Sequence, residues 1–180
     1  ELPREVHKKG DHAGNFDAKP MLQAALAGHD VGLVSEAGMP AVADPGSSVV
    51  RAAHELGIRV VPLVGPVSLL LALAASGLNG QNFAFVGYLP QDGAARTQRL
   101  RELEGLAVKH GQTQLFIETP YRNQALWDAL VNGLQGNTRL ARASGLTMAS
   151  MQVHCKTVQA WRSAGKVQIS GEPTVFLIGK

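Results

Sequence analysis

The sequence predicts an α/β fold divided into two α/β domains, and three observations carry that prediction. Short uncharged apolar runs end in Gly- and Pro-rich turns and lead into helical segments, the pattern of parallel strands joined by crossover helices. Of the 180 residues 45% are hydrophobic and 17% charged, enough apolar mass for a core and too much for a disordered chain. Gly77, Asn79 and Gly80 then break the alternation, which places the domains at residues 1–79 and 80–180.

Residues 1–20 are polar without a period and read as a loop. Pro20 suits the first turn of a helix, where its missing N–H is unsatisfied anyway, and Gly28 closes that helix. VGLVS, residues 31–35, is a continuous apolar run expected to be a buried strand. A helix follows over 47–56, with Val49, Val50, Ala53 and Leu56 on one face and Gly57 as its stop. Residues 58–61 repeat the buried-strand pattern, and 67–75 form an apolar helix after the turn Pro62 to Pro66. The charge-free stretch 60–78 is about long enough to span a bilayer, but Pro62, Gly65 and Pro66 interrupt it, so a buried helix is expected and no membrane partner. In the second half, strands are expected over 83–88, 113–118, 140–143 and 174–178. Helices are expected over 95–109, 121–131 and 158–163.

Cys155 is the single cysteine, which excludes an intramolecular disulfide and a Cys-x-x-Cys zinc site and fits a reducing compartment. None of the six histidines pairs with another ligand type at helical spacing, so no metal is expected. His7 and His12 fall in the N-terminal loop, and His54 on an exposed helix face. Charge is uneven: residues 1–95 hold 6 basic and 9 acidic side chains, residues 96–180 hold 11 and 5. A basic half suits a polyanion such as RNA or, equally, a solvated mixed-charge helix. Arg96, Arg99, Arg101, Tyr121 and Arg122 are the candidates for RNA contact, since Arg forks onto phosphate and Tyr stacks on a base. Glu102 and Glu104 are expected to neutralise part of that helix face.

The sharpest segment is VSEAGMPAVADPGS, residues 34–47, where an apolar run stops and the chain turns at once. Ligands of open α/β sheets bind beyond the carboxyl ends of strands, and small residues there let a ligand approach the backbone. No G-x-G-x-x-G fingerprint and no Walker lysine is present. PLVGPVSLL, residues 62–70, repeats the logic, with Ser68 a helix cap or a ligand contact. Glu36, Asp44 and Glu118 are the loop carboxylates available as a general base. Asp44, before Pro-Gly, is expected to cap the helix at 47, and Glu118 with Arg122 also reads as an ion pair across a helix start.

SEAGMPAVADPG, then GIRVVPLVGPVSLLLALAASGL and FVGYLP, with FIETPYR and GEPTVFLIG later, resemble the tetrapyrrole-methylase superfamily. Within it they are similar to the ribosomal RNA small-subunit methyltransferase I branch. The resemblance implies two α/β domains with S-adenosyl-L-methionine in the cleft between them. It implies a cytoplasmic homodimer that methylates a ribose 2'-hydroxyl of small-subunit ribosomal RNA. By the same resemblance Ala37, Gly38, Met39, Val67 and Ser68 would meet the methionine part of the cofactor. Glu118, Pro173 and Thr174 would close over its adenosine. Glu36 stands where the branch has Asp, and is expected on the cofactor or the acceptor hydroxyl. ASGLTM, residues 143–148, replaces an Ala-Arg-Glu-Leu-Thr-Lys segment of the branch, and the family's opening strand and loop are not among these residues. The expectation is an N-terminally incomplete paralogue. Its alternative roles are methylation of a tetrapyrrole or other small molecule, or cofactor binding without catalysis.

Overall fold

The computed structural model describes residues 1–3, 6 and 16–180; His7 and His12 lie outside the described residues. The chain divides into two compact units, Glu1–Val67 and Ser68–Lys180. The division falls ahead of the break at Gly77 to Gly80, because the apolar helix Ser68–Ser76 packs on the sheet of the second unit.

In the first unit Pro20 opens a 3-10 turn, Lys19–Leu22, that runs into α1 (Gln23–Leu26). The helix α2 (Ser47–Glu55) follows the Gly/Pro loop. It ends in a paired closure, Ile58 N–H to the Ala53 carbonyl at 2.8 Å and Gly57 N–H to that of His54 at 3.1 Å. Ala18, Leu22, Ala52 and Ala53 are buried together, with Phe16, Val49, Leu56 and Ile58 against them. Residues 31–35 and 58–61, expected as buried strands, pair with no other segment among the described residues. Val34 is 87% exposed and Val64 fully so. An apolar run marks a capacity for burial, but a strand exists through backbone bonds to a neighbouring strand.

The second unit holds a five-stranded sheet in the order β1-β2-β5-β3-β4. Its strands are β1 (Phe83–Tyr88), β2 (Thr113–Ile117), β3 (Arg139–Ser144), β4 (Gln152–Thr157) and β5 (Thr174–Gly179). β1 and β2 are parallel, joined by the crossover helix α4 (Gly93–His110); the remaining neighbours are antiparallel. The βαβ pattern predicted for the N-terminal half has no strand among the described residues there, and the βαβ unit of the structure is formed by the elements expected at 83–88, 95–109 and 113–118. β4 was not expected, although QVHCKT alternates in burial along its whole length, the period-2 signature of a half-covered strand.

The helix α3 (Ser68–Ser76) contacts β3, β4 and β5, burying Leu69, Ala72, Leu73 and Ser76. On the other face α4, α5 (Asn123–Gly133) and α6 (Val158–Ser163) close the main core. Leu100, Leu103, Leu126 and Leu130 meet Phe116, Leu140, Phe176 and Ile178 of the sheet. Trp127 and Trp161 pack edge to face at 4.9 Å, and Trp161 Nε1–H donates to the Leu140 carbonyl at 2.8 Å. Glu104, expected on the solvent face of α4, is 4% exposed and turned inward. It accepts from Gln135 N–H at 2.7 Å and from the Thr138 hydroxyl, so it anchors the loop after α5. Among the described residues no helix is long and apolar enough to cross a membrane, and no group of three His, Cys, Asp or Glu could hold a metal ion.

Candidate functional site

Two loop systems carry the residues that the sequence singles out, one in each unit. In the first unit, residues 35–46 form a chain of tight turns. Ala41 and Ala43 both sit at positive φ, 64° and 56°, conformations that cost an L-residue energy and persist where surroundings dictate them. Ser35 Oγ lies against the Asp44 carboxylate and 2.9 Å from the Ala37 carbonyl, and accepts from Ala37 N–H at 3.4 Å. A hydroxyl has one proton, and the charged acceptor takes it. Asp44 thus fastens the loop to Ser35, which corrects its expected role at α2, where Gly46 holds the cap position. Ala37, Gly38 and Glu36 remain exposed at the tip, with Met39 half-buried behind them. Gly38 has φ +74°, and a Cβ there would meet no atom within 4 Å, so its backbone is open to an incoming group.

The second system gathers at one end of the sheet. The ladder places Ile117 opposite Val175 and Ser144 opposite Thr174, so the end of β2, the end of β3 and the start of β5 coincide. Tyr88 pairs with Ile117 at the same level of β1. Glu118, just past β2, is 8% exposed. Its Oε1 accepts from Arg122 Nη2 at 2.8 Å, Thr119 N–H at 2.7 Å and Thr119 Oγ1 at 3.3 Å. Burial pushes the Glu118 pKa up, but the Arg122 and Thr119 hydrogen bonds and the Arg122 charge outweigh it, and the net shift is downward. A carboxylate held ionised in this way is a hydrogen-bond acceptor and a weak proton acceptor, so the geometry suits Glu118 to binding better than to general-base work.

Beside it, Asn123 is 1% exposed and donates from Nδ2 to the Glu172 carbonyl at 3.0 Å, while its Oδ1 is buried without a partner among the described residues. Arg122 Nε is also buried without one. Thr174 Oγ1 donates to the Glu172 carbonyl at 3.0 Å and lies 2.8 Å from Ser144 Oγ. The Glu172 side chain accepts from Ser150 Oγ at 2.6 Å and passes over Gly145, where a Cβ would stand 2.5 Å from Glu172 Oε2. Gly145 of ASGLTM thus lies close against the Glu172 side chain, and its N–H donates to the Pro173 carbonyl at 3.2 Å. The structure brings Glu118, Arg122 and Thr174 together with exposed Pro173, and adds Asn123, Ser144 and Glu172. Asn123, the first residue of α5, carries no motif in the sequence that marks it out. Tyr121 is 79% exposed, with the Arg122 guanidinium 5.1 Å over its ring. Arg96 and Arg99 lie apart from this group on α4, where Arg99 pairs with Glu102 at 3.0 Å. Val67 and Ser68 straddle the division between the units, Val67 half-buried and Ser68 exposed at the start of α3.

The chain is similar to known methyltransferases in sequence and fold. It is 35% identical to ribosomal RNA small subunit methyltransferase I of Pseudomonas aeruginosa, over 96% of this chain and 59% of that protein. The Mesorhizobium japonicum protein of the same name is 39% identical, over 80% of this chain and 48% of its own length. The chain thus spans about half to three fifths of the length of these curated relatives. Among solved structures, the methyltransferase CobJ shares the fold with a TM-score of 0.57 at 18% identity, covering 93% of this chain and 72% of that one. Uroporphyrin-III C-methyl transferase from Thermus thermophilus, complexed with S-adenyl homocysteine, does so with 0.51 at 20%, covering 90% and 71%. The sequence model of the Tetrapyrrole (Corrin/Porphyrin) Methylases matches residues 3–160, and the chain belongs to that family.

Proposed function

We propose that this chain carries part of an S-adenosyl-L-methionine-dependent methyltransferase whose acceptor is a ribose 2'-hydroxyl of small-subunit ribosomal RNA. The observation that supports this most is the 35% identity to a ribosomal RNA methyltransferase over 96% of the chain. The likeness to tetrapyrrole enzymes rests on fold at 18–20% identity and does not favour a tetrapyrrole acceptor. A homodimer acting in the cytoplasm belongs to the same reading.

The residues present suit the cofactor. Asn123 Oδ1, an orphaned buried acceptor, and Arg122 Nε, an orphaned donor, flank the fixed carboxylate of Glu118, a constellation fit for a base with donor and acceptor edges. Glu118, Pro173 and Thr174 would hold the adenosine, and the exposed backbone of Ala37, Gly38 and Met39, with Val67 and Ser68, would hold the methionine part. When bound, the cofactor supplies a methyl group on a sulfonium. The task of these side chains is then alignment, which is worth roughly 7 to 11 kcal/mol when the reacting atoms are fixed in line. Glu36, exposed beside that backbone, is the candidate to contact the cofactor's amino group or to take the acceptor's proton. Arg96, Arg99, Tyr121 and Arg122 are candidates to receive the RNA.

Tritiated-methyl transfer to small ribosomal subunits, free ribosomal RNA and porphyrin precursors tests the acceptor. Label in the RNA 2'-O position is expected, and label in porphyrin alone refutes the reading. Glu36→Gln separates its two roles. A cofactor contact predicts binding weaker by about 1.5 to 3 kcal/mol. A base predicts turnover lower by roughly 100-fold with affinity kept.

A further inference from the structure

Arg142 is a buried cation without an acidic partner among the described residues. It sits on β3 opposite Phe176 of β5 and His154 of β4, on the sheet face that also carries Leu140 and Ser144. The residue is 7% exposed. Its Nε is buried without a partner among the described residues, and the hydrogen bond from Nη2 to Gln152 Oε1 is long, at 3.5 Å. Three other arginines of this unit are better served. Arg122 and Arg99 have carboxylates, and Arg162 donates to three carbonyls at the end of α5, those of Val131, Asn132 and Leu134. Burial lowers the Arg142 pKa, with no carboxylate offsetting it. Removing an unpaired cation from water is costly, and replacing it with an apolar side chain is often stabilising.

The surroundings add like charge. His154 lies directly across the ladder, and Lys156 follows on the same face with its Nζ 4.9 Å over the Trp161 ring. Burial and then the Arg142 and Lys156 charges push the His154 pKa down. Gln152, His154 and Lys156 are all exposed, and β4 is an outer strand of the sheet. Their side chains repeat at roughly 6.8 Å, two residues of a strand. That interval is comparable to the separation of neighbouring phosphates along an extended nucleic-acid strand.

The geometry points to the outer ribbon of β3 and β4 as a binding site for the phosphodiester backbone of single-stranded RNA. Arg142 is its anchor, with Gln152, His154 and Lys156 along the edge. The site rests on the RNA reading above and differs from the helix and loop residues named there. An arriving phosphate supplies the acidic partner that the Arg142 guanidinium lacks among the described residues and offsets the charge of Lys156.

The test is fluorescence anisotropy of a labelled single-stranded RNA oligonucleotide with the protein across a salt series. Arg142→Met keeps the volume and removes the charge. Its affinity is expected to fall about tenfold or more, because a charge-assisted contact is lost. Its Tm is expected to stay level or rise. Lys156→Gln, at an exposed site that does not govern folding, is expected to flatten the slope of log affinity against log salt by about 0.7. A wild-type protein that binds RNA, with both variants binding equally well at every salt concentration, overturns the site and leaves the RNA reading standing. A wild-type protein that binds no RNA at low salt overturns both. An Arg142→Met variant of lower Tm and unchanged affinity shows a structural arginine and overturns the site.

Discussion

Glu118 shows how one side chain can report on its own surroundings. Its folded-state pKa lies below the ordinary value near 4.5, so the unfolded chain binds the proton more readily. The stabilisation from the Arg122 pair is therefore complete above about pH 4.5 and is lost as pH falls through the lower folded-state value. Glu118→Gln is expected to lower Tm by a few degrees at pH 7. The two proteins should converge as pH falls through the folded-state value of Glu118, as followed by thermal melts across the acidic range. A constant gap at every pH would show that the carboxyl's charge is immaterial. Gly38 makes a second residue-scale prediction. Since its Cβ position is open, Gly38→Val meets no wall of the fold, and its penalty to folding is the positive φ, about 1 kcal/mol or more. Calorimetry with S-adenosylhomocysteine should show binding weakened well beyond that figure; equal affinity would take this loop out of the site.

At the scale of elements, two helices of the second unit, α4 and α6, start on side-chain caps that the chain spells out. Asp92 Oδ1 accepts from Ala95 N–H at 2.9 Å ahead of α4, and Thr157 Oγ1 from Ala160 N–H at 3.2 Å ahead of α6. Asp92→Ala is expected to destabilise by about 1 kcal/mol, read as a shift in the urea midpoint at constant slope. Such local chemistry marks the starts of α4 and α6, while α2, α3 and β1 were legible to within two residues at each end from apolar runs bounded by Gly and Pro. β4 was missed because its inward positions, Val153, Cys155 and Thr157, are only partly apolar, and the alternation was masked by His154 and Lys156. The apolar runs at 31–35 and 58–61 misled in the opposite sense, since composition records no partner strand. In the candidate site, Glu118 with Arg122 was readable from their four-residue spacing. The meeting of Asn123, Ser144, Glu172 and Thr174 was not, because it depends on the register of three strands distant in sequence.

On the scale of the whole chain, the two units differ in what holds them. The second has a continuous ladder and a core of large side chains, while in the first the described residues form a small cluster around Ala52 and Ala53. Both tryptophans lie in the second unit, so tryptophan fluorescence follows that unit alone. Amide exchange is expected to be slowest in β3 and β5, whose residues are buried along nearly their whole length. It should be much faster in 31–35 and 60–64, which form no ladder bonds among the described residues. Comparable protection in the two regions would contradict this division.

The sheet order has a consequence for the chain as it leaves the ribosome. β5 is the last strand in sequence yet lies between β2 and β3, bonded to both. Until residues 174–179 emerge, the nascent chain holds a parallel pair, β1 and β2, and a separate hairpin, β3 and β4, each with an open inner edge. Those edges are the templates on which chains pair wrongly. The closing step joins segments about sixty residues apart, a slow kind of event in folding. A stop codon ahead of Thr174 would therefore not shave off a dispensable tail. It would leave two ribbons without the strand that makes them one sheet, and a product destined for aggregates and the protease.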